Sequence, residues 1–317
     1  MNKLIVLSIL SEKSQIKNIY NVGGIMIYLV MATLINGGSP ILKKIFKKDC
    51  IMFFSAVLAL FACLFFVLVS RFQFDFNVRF LPYALLFAIS YSICTIFGVL
   101  AFKNGSLMIT GLIFSFSLLL PTFYGLIAYG EKSGVLFWIG LLLLCVSLIC
   151  INIKSTKNRK SAELENIAQV DKRKINIKYL IFLFLSFVGN GCCSIFQTAE
   201  QKAFNGAYKS EFMIIALLSS AIVLFVFSFI KERKEIKSSI KESIILGGSS
   251  GILNGLLNLC VMFSVNTFPT SIVFPIICGG ALIVNYLLAV IFFKEKYTKV
   301  QYIGLFVGFL TVILLNL

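Results

Sequence analysis

Residues 125–153 read GLIAYGEKSGVLFWIGLLLLCVSLICINI, and residues 289–317 read AVIFFKEKYTKVQYIGLFVGFLTVILLNL. In each stretch a glutamate–lysine pair, Glu131-Lys132 or Glu295-Lys296, separates two apolar runs. An apolar run of about 20 residues is what a helix needs to cross the hydrocarbon core of a bilayer. Ten such runs are predicted along the chain, at 21–42, 50–70, 80–102, 105–129, 133–153, 179–199, 211–230, 244–266, 269–292 and 299–317. Composition agrees, since 59% of the 317 residues are hydrophobic and 13% are charged. A soluble domain carries roughly 25% charged residues. The reading is an all-α polytopic membrane protein of ten transmembrane helices, whose backbone groups are satisfied within each helix. Its first partner is therefore the lipid bilayer.

The two quoted stretches belong to a longer correspondence. Residues 105–153 lie on 269–317 without a gap, bringing Glu131 onto Glu295, Lys132 onto Lys296, Gly140 onto Gly304 and Asn152 onto Asn316. Separately, Asn36-Gly37 in LINGGSPIL lies on Asn190-Gly191 in FVGNGCCSI. The predicted organisation is an N-terminal tail (1–20), a five-helix repeat (21–153), a basic linker (154–178) and a second five-helix repeat (179–317). Two tandem copies with an odd number of crossings enter a membrane in opposite directions. Inverted repeats of this kind recur in secondary transporters, which hold solute near the midplane between the halves.

These residues resemble a known family. An apolar helix ending in Gly/Phe-x-Glu-Lys, then a polar turn, then an aromatic-Ile-Gly helix is similar to the EamA-like repeat of the drug/metabolite transporter (DMT) superfamily. The resemblance runs twice over residues 25–317, and GGSPILKK resembles the end of that family's first helix. It implies a multi-pass carrier in the plasma membrane, moving a small metabolite by alternating access around a central cavity. A flippase of a lipid-linked metabolite and a small-molecule or drug exporter are the alternatives it admits. The small multidrug members carry a carboxylate in the first helix; this chain has none there, which speaks against proton-coupled export of cationic drugs. Most of the 29 basic residues fall in loops on the linker's side, which by the positive-inside rule puts both termini outside. The family resemblance implies both termini in the cytoplasm.

The net charge of +16 is accounted for by such loops, and most of the 33 phenylalanines lie within spans, so no nucleic-acid partner is expected. The chain has no histidine, and its nine cysteines, the adjacent Cys192-Cys193 included, sit almost entirely inside apolar runs as small buried residues. No catalytic group, metal or cofactor is expected. A membrane enzyme lacks its acid–base cluster, and a primary pump lacks its phosphate-binding loop.

Polar side chains inside spans are costly and mark cavities or helix contacts. No Asp or Glu falls at mid-span; Glu200 lies near the end of span six and Glu211 opens span seven. The candidate substrate-binding residues are Asn36, Tyr91, Thr95, Asn190, Gln197, Asn254, Asn258, Asn285 and Tyr286. Asn254 and Asn258, four apart, share a helix face. The competing reading is interhelical hydrogen bonding, at ~0.6 kcal/mol each. This neutral inventory points to a neutral or zwitterionic organic solute. The Glu-Lys pairs read as helix–turn–helix punctuation, with the carboxylate near the positive N-terminus of the next helix.

Overall fold

A computed structural model describes residues 26–105, 107–131, 134–152, 177–293 and 299–314, and among these it contains helices and no strand. In chain order they are α1 (Met26–Ile45), α2 (Ile51–Val69), α3 (Leu81–Asn104), α4 (Leu107–Ser117), α5 (Leu119–Ala128) and α6 (Val135–Asn152). There follow α7 (Ile177–Ala203), α8 (Lys209–Lys231), α9 (Arg233–Glu242), α10 (Gly248–Thr267), α11 (Thr270–Phe293) and α12 (Lys299–Leu314). Seven helical stretches are long and apolar enough to cross a membrane among the described residues. They are α1, α2, α3, α7, α8, the continuous rod of α9 and α10, and α11. The remaining predicted spans coincide with shorter apolar helices, α4–α5, α6 and α12.

Two prolines shape the elements that matter most. In α1, Ser39 donates its N–H to Ile35 O at 2.9 Å, but Pro40 has no N–H to continue the ladder. The helix turns at Ser39 and restarts with Pro40 in its first turn, where a missing donor costs nothing. The predicted span 105–129 is likewise interrupted. Pro121 leaves the ladder short of a donor, and Leu118 N–H falls back to Ser115 O at 3.1 Å, separating α4 from α5.

The span expected at 244–266 starts earlier than the sequence indicated. Helix begins at Arg233, and α9 joins α10 through a π-helical turn at Ser243–Gly247. Polar composition hid α9, since its apolar face is reduced to Ile236 and Ile240. Ile236 is buried in a small cluster with Cys50, Phe53 and Val57.

Packing is dense between α3 and α7, between α2 and α8, and between α6 and α12. Helix α11 packs on both pieces of the broken α4–α5, α10 packs on α2, and α8 packs on α3. Gly251 allows α10 to approach α2 closely, because a Cβ there would lie 2.4 Å from Leu58 O. Rings of Phe54, Phe66, Phe87 and Phe212 fill the largest buried cluster. Outside, large apolar side chains are left bare, with Ile127 84% exposed and Leu68, Phe184 and Ile291 also exposed. Water would not tolerate so extended an apolar surface on a single chain. Such a surface, with seven long apolar helices, is compatible with a multi-pass membrane protein whose exterior meets lipid.

Hydrogen bonds gather the connections at two ends of the bundle. At one end Asn77 Nδ2 donates to Tyr208 Oη at 3.2 Å, and Glu131 accepts from Thr270 N–H at 2.9 Å and Ser271 N–H at 2.7 Å. At the other end Lys103 pairs with Asp49, Lys44 donates to Gly105 O, and Glu232 accepts from Met52 N–H and Phe53 N–H, each at 2.9 Å.

Candidate binding cavity

Between these ends α1, α3, α4, α7, α10 and α11 enclose a cavity of about 940 Å³, its open mouth included. Asn36, Tyr91, Thr95, Asn190, Gln197, Asn254, Asn258 and Asn285 all line it. Of the residues singled out in the sequence, Tyr286 does not. Its ring is turned onto Tyr302, with centroids 6.2 Å apart, on the far side of α11.

The amides are partly engaged with one another. Tyr91 Oη donates to Asn254 Oδ1 at 2.8 Å, and Asn258 Nδ2 donates to Asn254 O at 2.9 Å and to its Oδ1 at 3.1 Å. Gln197 Nε2 donates to Asn258 O at 3.1 Å, tying α7 to α10. Asn190 Nδ2 donates to Ser117 Oγ at 2.6 Å, tying α7 to α4 beside the break. Thr95 bonds its own helix, donating to Tyr91 O at 2.9 Å. An amide offers two donors and an acceptor with two lone pairs, so these contacts leave capacity in the ring. Asn285 Oδ1 is buried and unpartnered among the described residues. Its Nδ2 occupies space that Gly111 leaves open, since a Cβ on Gly111 would come within 1.8 Å of that nitrogen.

Lys43, one residue past the predicted first span and absent from the candidate residues, lines the cavity, because helix resumes after the bend at Pro40. Its ammonium lies 5.5 Å from the centroid of the Phe114 ring. A usable signal was present. Asn36, Pro40 and Lys43 follow the i, i+4, i+7 spacing of one helix face, and Asn36 already pointed to the cavity. Phe87, Cys94, Phe114 and Ser194 also line it and carry no pattern that separates them from packing residues.

Among the described residues acidic groups stay off the wall. Glu200 is fully buried near the end of α7, where Gln201 Nε2 donates to its carboxylate and Asn266 Nδ2 donates to Gln201 Oε1 at 2.8 Å. Glu131, outside the membrane-spanning segments, is half-buried at the start of α11. Burial pushes its pKa up, but the backbone donors of Ser271 and Thr270 outweigh that and hold the carboxyl below its ordinary range. Glu131 therefore does cap a helix N-terminus, but that of α11, not that of the following α6. Glu295, Lys132, Lys296 and Asn316 lie outside the described residues. No cluster of three metal-ligating side chains occurs among the described residues.

No family model and no curated protein matches the chain. A solved crystal structure shares the fold, with a TM-score of 0.68 at 10% sequence identity, over 93% of this chain and 97% of that one. That likeness is one of backbone architecture alone.

Proposed function

We propose that the chain is a ten-span carrier of a small organic solute in the plasma membrane, secondary-active or facilitative, built as two inverted five-helix repeats that alternate around the central cavity. The observation that carries this reading is the cavity itself, enclosed by helices from both halves, polar within and surrounded by an apolar exterior. The resemblance to the EamA-like repeat points the same way.

A reciprocal contact supports the inverted repeat. A Cβ on Gly37 would lie 2.6 Å from Val284 Cβ, and a Cβ on Gly191 would lie 3.0 Å from Leu120 Cβ. In the sequence correspondence Gly37 falls on Gly191, and Leu120 falls on Val284. The first copy's opening helix thus meets the second copy's fourth helix as the second copy's opening helix meets the first copy's fourth. The pairing of α8 with α3 and of α10 with α2 is exchanged in the same sense.

Alternation needs helices that bend at the cavity, and the breaks at Pro40 and at Leu118 stand on its wall. Purified protein in proteoliposomes is expected to give saturable uptake and counterflow of its solute. Linear, unsaturable flux would make it a channel, and scrambling of lipid reporters would make it a flippase. For the repeat, single cysteines placed by Gly134→Cys and Thr298→Cys in a cysteine-free background are expected to react from opposite compartments. Reaction of both from one side removes the inversion and the carrier mechanism with it.

A further inference from the structure

The cavity wall carries one charged side chain among the described residues, and it has no counter-ion there. The ammonium of Lys43 faces the Phe114 ring, while no described Asp or Glu lines the cavity: Asp49 pairs with Lys103, Glu131 caps α11, Glu232 caps α2, and Glu200 accepts from Gln201 through one of its oxygens. An ammonium removed from bulk water is costly unless an anion or a set of acceptors receives it. An aromatic face offers only part of that compensation. Across the same space Asn285 Oδ1 is a buried acceptor without a donor. Among the described residues the cavity wall thus carries a positive charge without a counter-ion and a buried acceptor without a donor.

Resting on the carrier reading above, we infer that the solute is a small organic monoanion whose single carboxylate pairs with Lys43 while one of its own donors reaches Asn285 Oδ1. The amides of Asn254, Asn258 and Gln197 complete the polar contacts, and Phe87 and Phe114 cover the solute's apolar surface. One cation matches one negative charge, so the loaded cavity is neutral and can pass the low-dielectric midplane. A phosphate dianion would bring a second charge with no second cation on the wall. A zwitterion would bring an ammonium with no carboxylate to receive it. With Lys43 on the cavity wall, a monoanion is inferred in place of the neutral or zwitterionic solute that the polar inventory leads one to expect.

The test uses the purified full-length chain and three acid–amide pairs of matched shape, each acid carrying a hydroxyl donor: lactate with lactamide, mandelate with mandelamide, and 4-hydroxyphenylacetate with 4-hydroxyphenylacetamide. Phenyl phosphate serves as the dianion. In thermal unfolding with each compound at ~10 mM, at least one carboxylate is expected to raise Tm by ~2 °C or more while its amide does not. Lys43→Gln is expected to lose that response, and Lys43→Arg to keep part of it. Without any compound Lys43→Gln melts at or above the wild-type temperature, because an unpaired charge has been removed; that result also shows the variant folded. The inference falls if no pair favours the acid, if Lys43→Gln keeps the acid response, or if phenyl phosphate outdoes every carboxylate. Acid-selective binding through Lys43 without counterflow would sink the carrier reading and leave the anion site standing. Counterflow of a neutral solute unchanged by Lys43→Gln would do the reverse.

Discussion

At one end of the bundle Glu131 receives the first backbone N–H groups of α11; at the other Glu232 receives those of α2. Each carboxylate belongs to one half of the chain and closes a helix of the other. The donors at a helix start have no partner within the helix, and α2 has no side-chain cap of its own at Cys50. The two seats differ in construction. Glu131 follows Gly130, whose φ of +58° lets the chain leave α5 sharply, and Gly125 leaves it room, since a Cβ there would lie 2.9 Å from Oε2. Glu232 sits between α8 and α9, with Ser228 Oγ donating to it at 3.2 Å. One cap depends on glycine backbone and the other on helix continuity, so the same physical need is met by unrelated local sequence.

The comparison can be broken by substitution. Glu131→Ala leaves two N–H groups without their ionised acceptor and is expected to cost about 3 kcal/mol, read as a fall in Tm of the purified protein. Glu232→Ala is expected to cost less, about 2 kcal/mol, because the Ser228 hydroxyl remains near the vacated donors. Equal losses would mean that the seats are equivalent and that their construction is irrelevant. Gly37→Ala is expected to destabilise by about 1–2 kcal/mol and Gly191→Ala by roughly half as much. The methyl at 37 meets Ala281 O at 2.7 Å, a backbone atom, whereas at 191 the first atom met is the mobile Leu120 Cδ1 at 2.3 Å. The reverse order would undo the claim that backbone contact decides the cost.

The smallest effect is in pH. A carboxyl held below its ordinary value of 4.5 contributes fully above that value and loses its contribution as pH falls through the folded-state pKa. Tm is therefore expected to drop more steeply on the acid side in the wild type than in Glu131→Gln. Parallel acid limbs would show that Glu131 does not titrate in concert with α11.

Much of the helical architecture was legible because bilayer thickness imposes a run length: among the described residues seven of the ten predicted runs fall on helices long and apolar enough to cross a membrane, and the other three on shorter apolar helices. The cavity amides were legible for a related reason. An asparagine in hydrocarbon must find partners, and Asn190, Asn254, Asn258 and Asn285 share the space where those partners meet. Tyr286 was not separable from its neighbour Asn285, since adjacent helix positions point about 100° apart and periodicity alone does not say which faces inward. Lys43 falls just past the predicted first span, where a charge beside other lysines reads as loop; the restart of helix after Pro40 brings it onto the wall. Helix α9 was missed because its burial depends on meeting Cys50, Phe53 and Val57, a tertiary event its own residues do not announce.

The rod formed by α9 and α10 runs 35 residues without interruption, from Arg233 to Thr267. At 1.5 Å per residue that is roughly 50 Å, well beyond the hydrocarbon thickness. Its outer end is pinned, through Glu232, to the first turn of α2, while Asn254 and Asn258 sit farther along it on the cavity wall. It therefore works as a tie-rod. A tilt that widens the cavity at Asn254 has to drag the start of α2 or tear Glu232 from it, so a spectroscopic label near Arg233 would register events deep in the bundle.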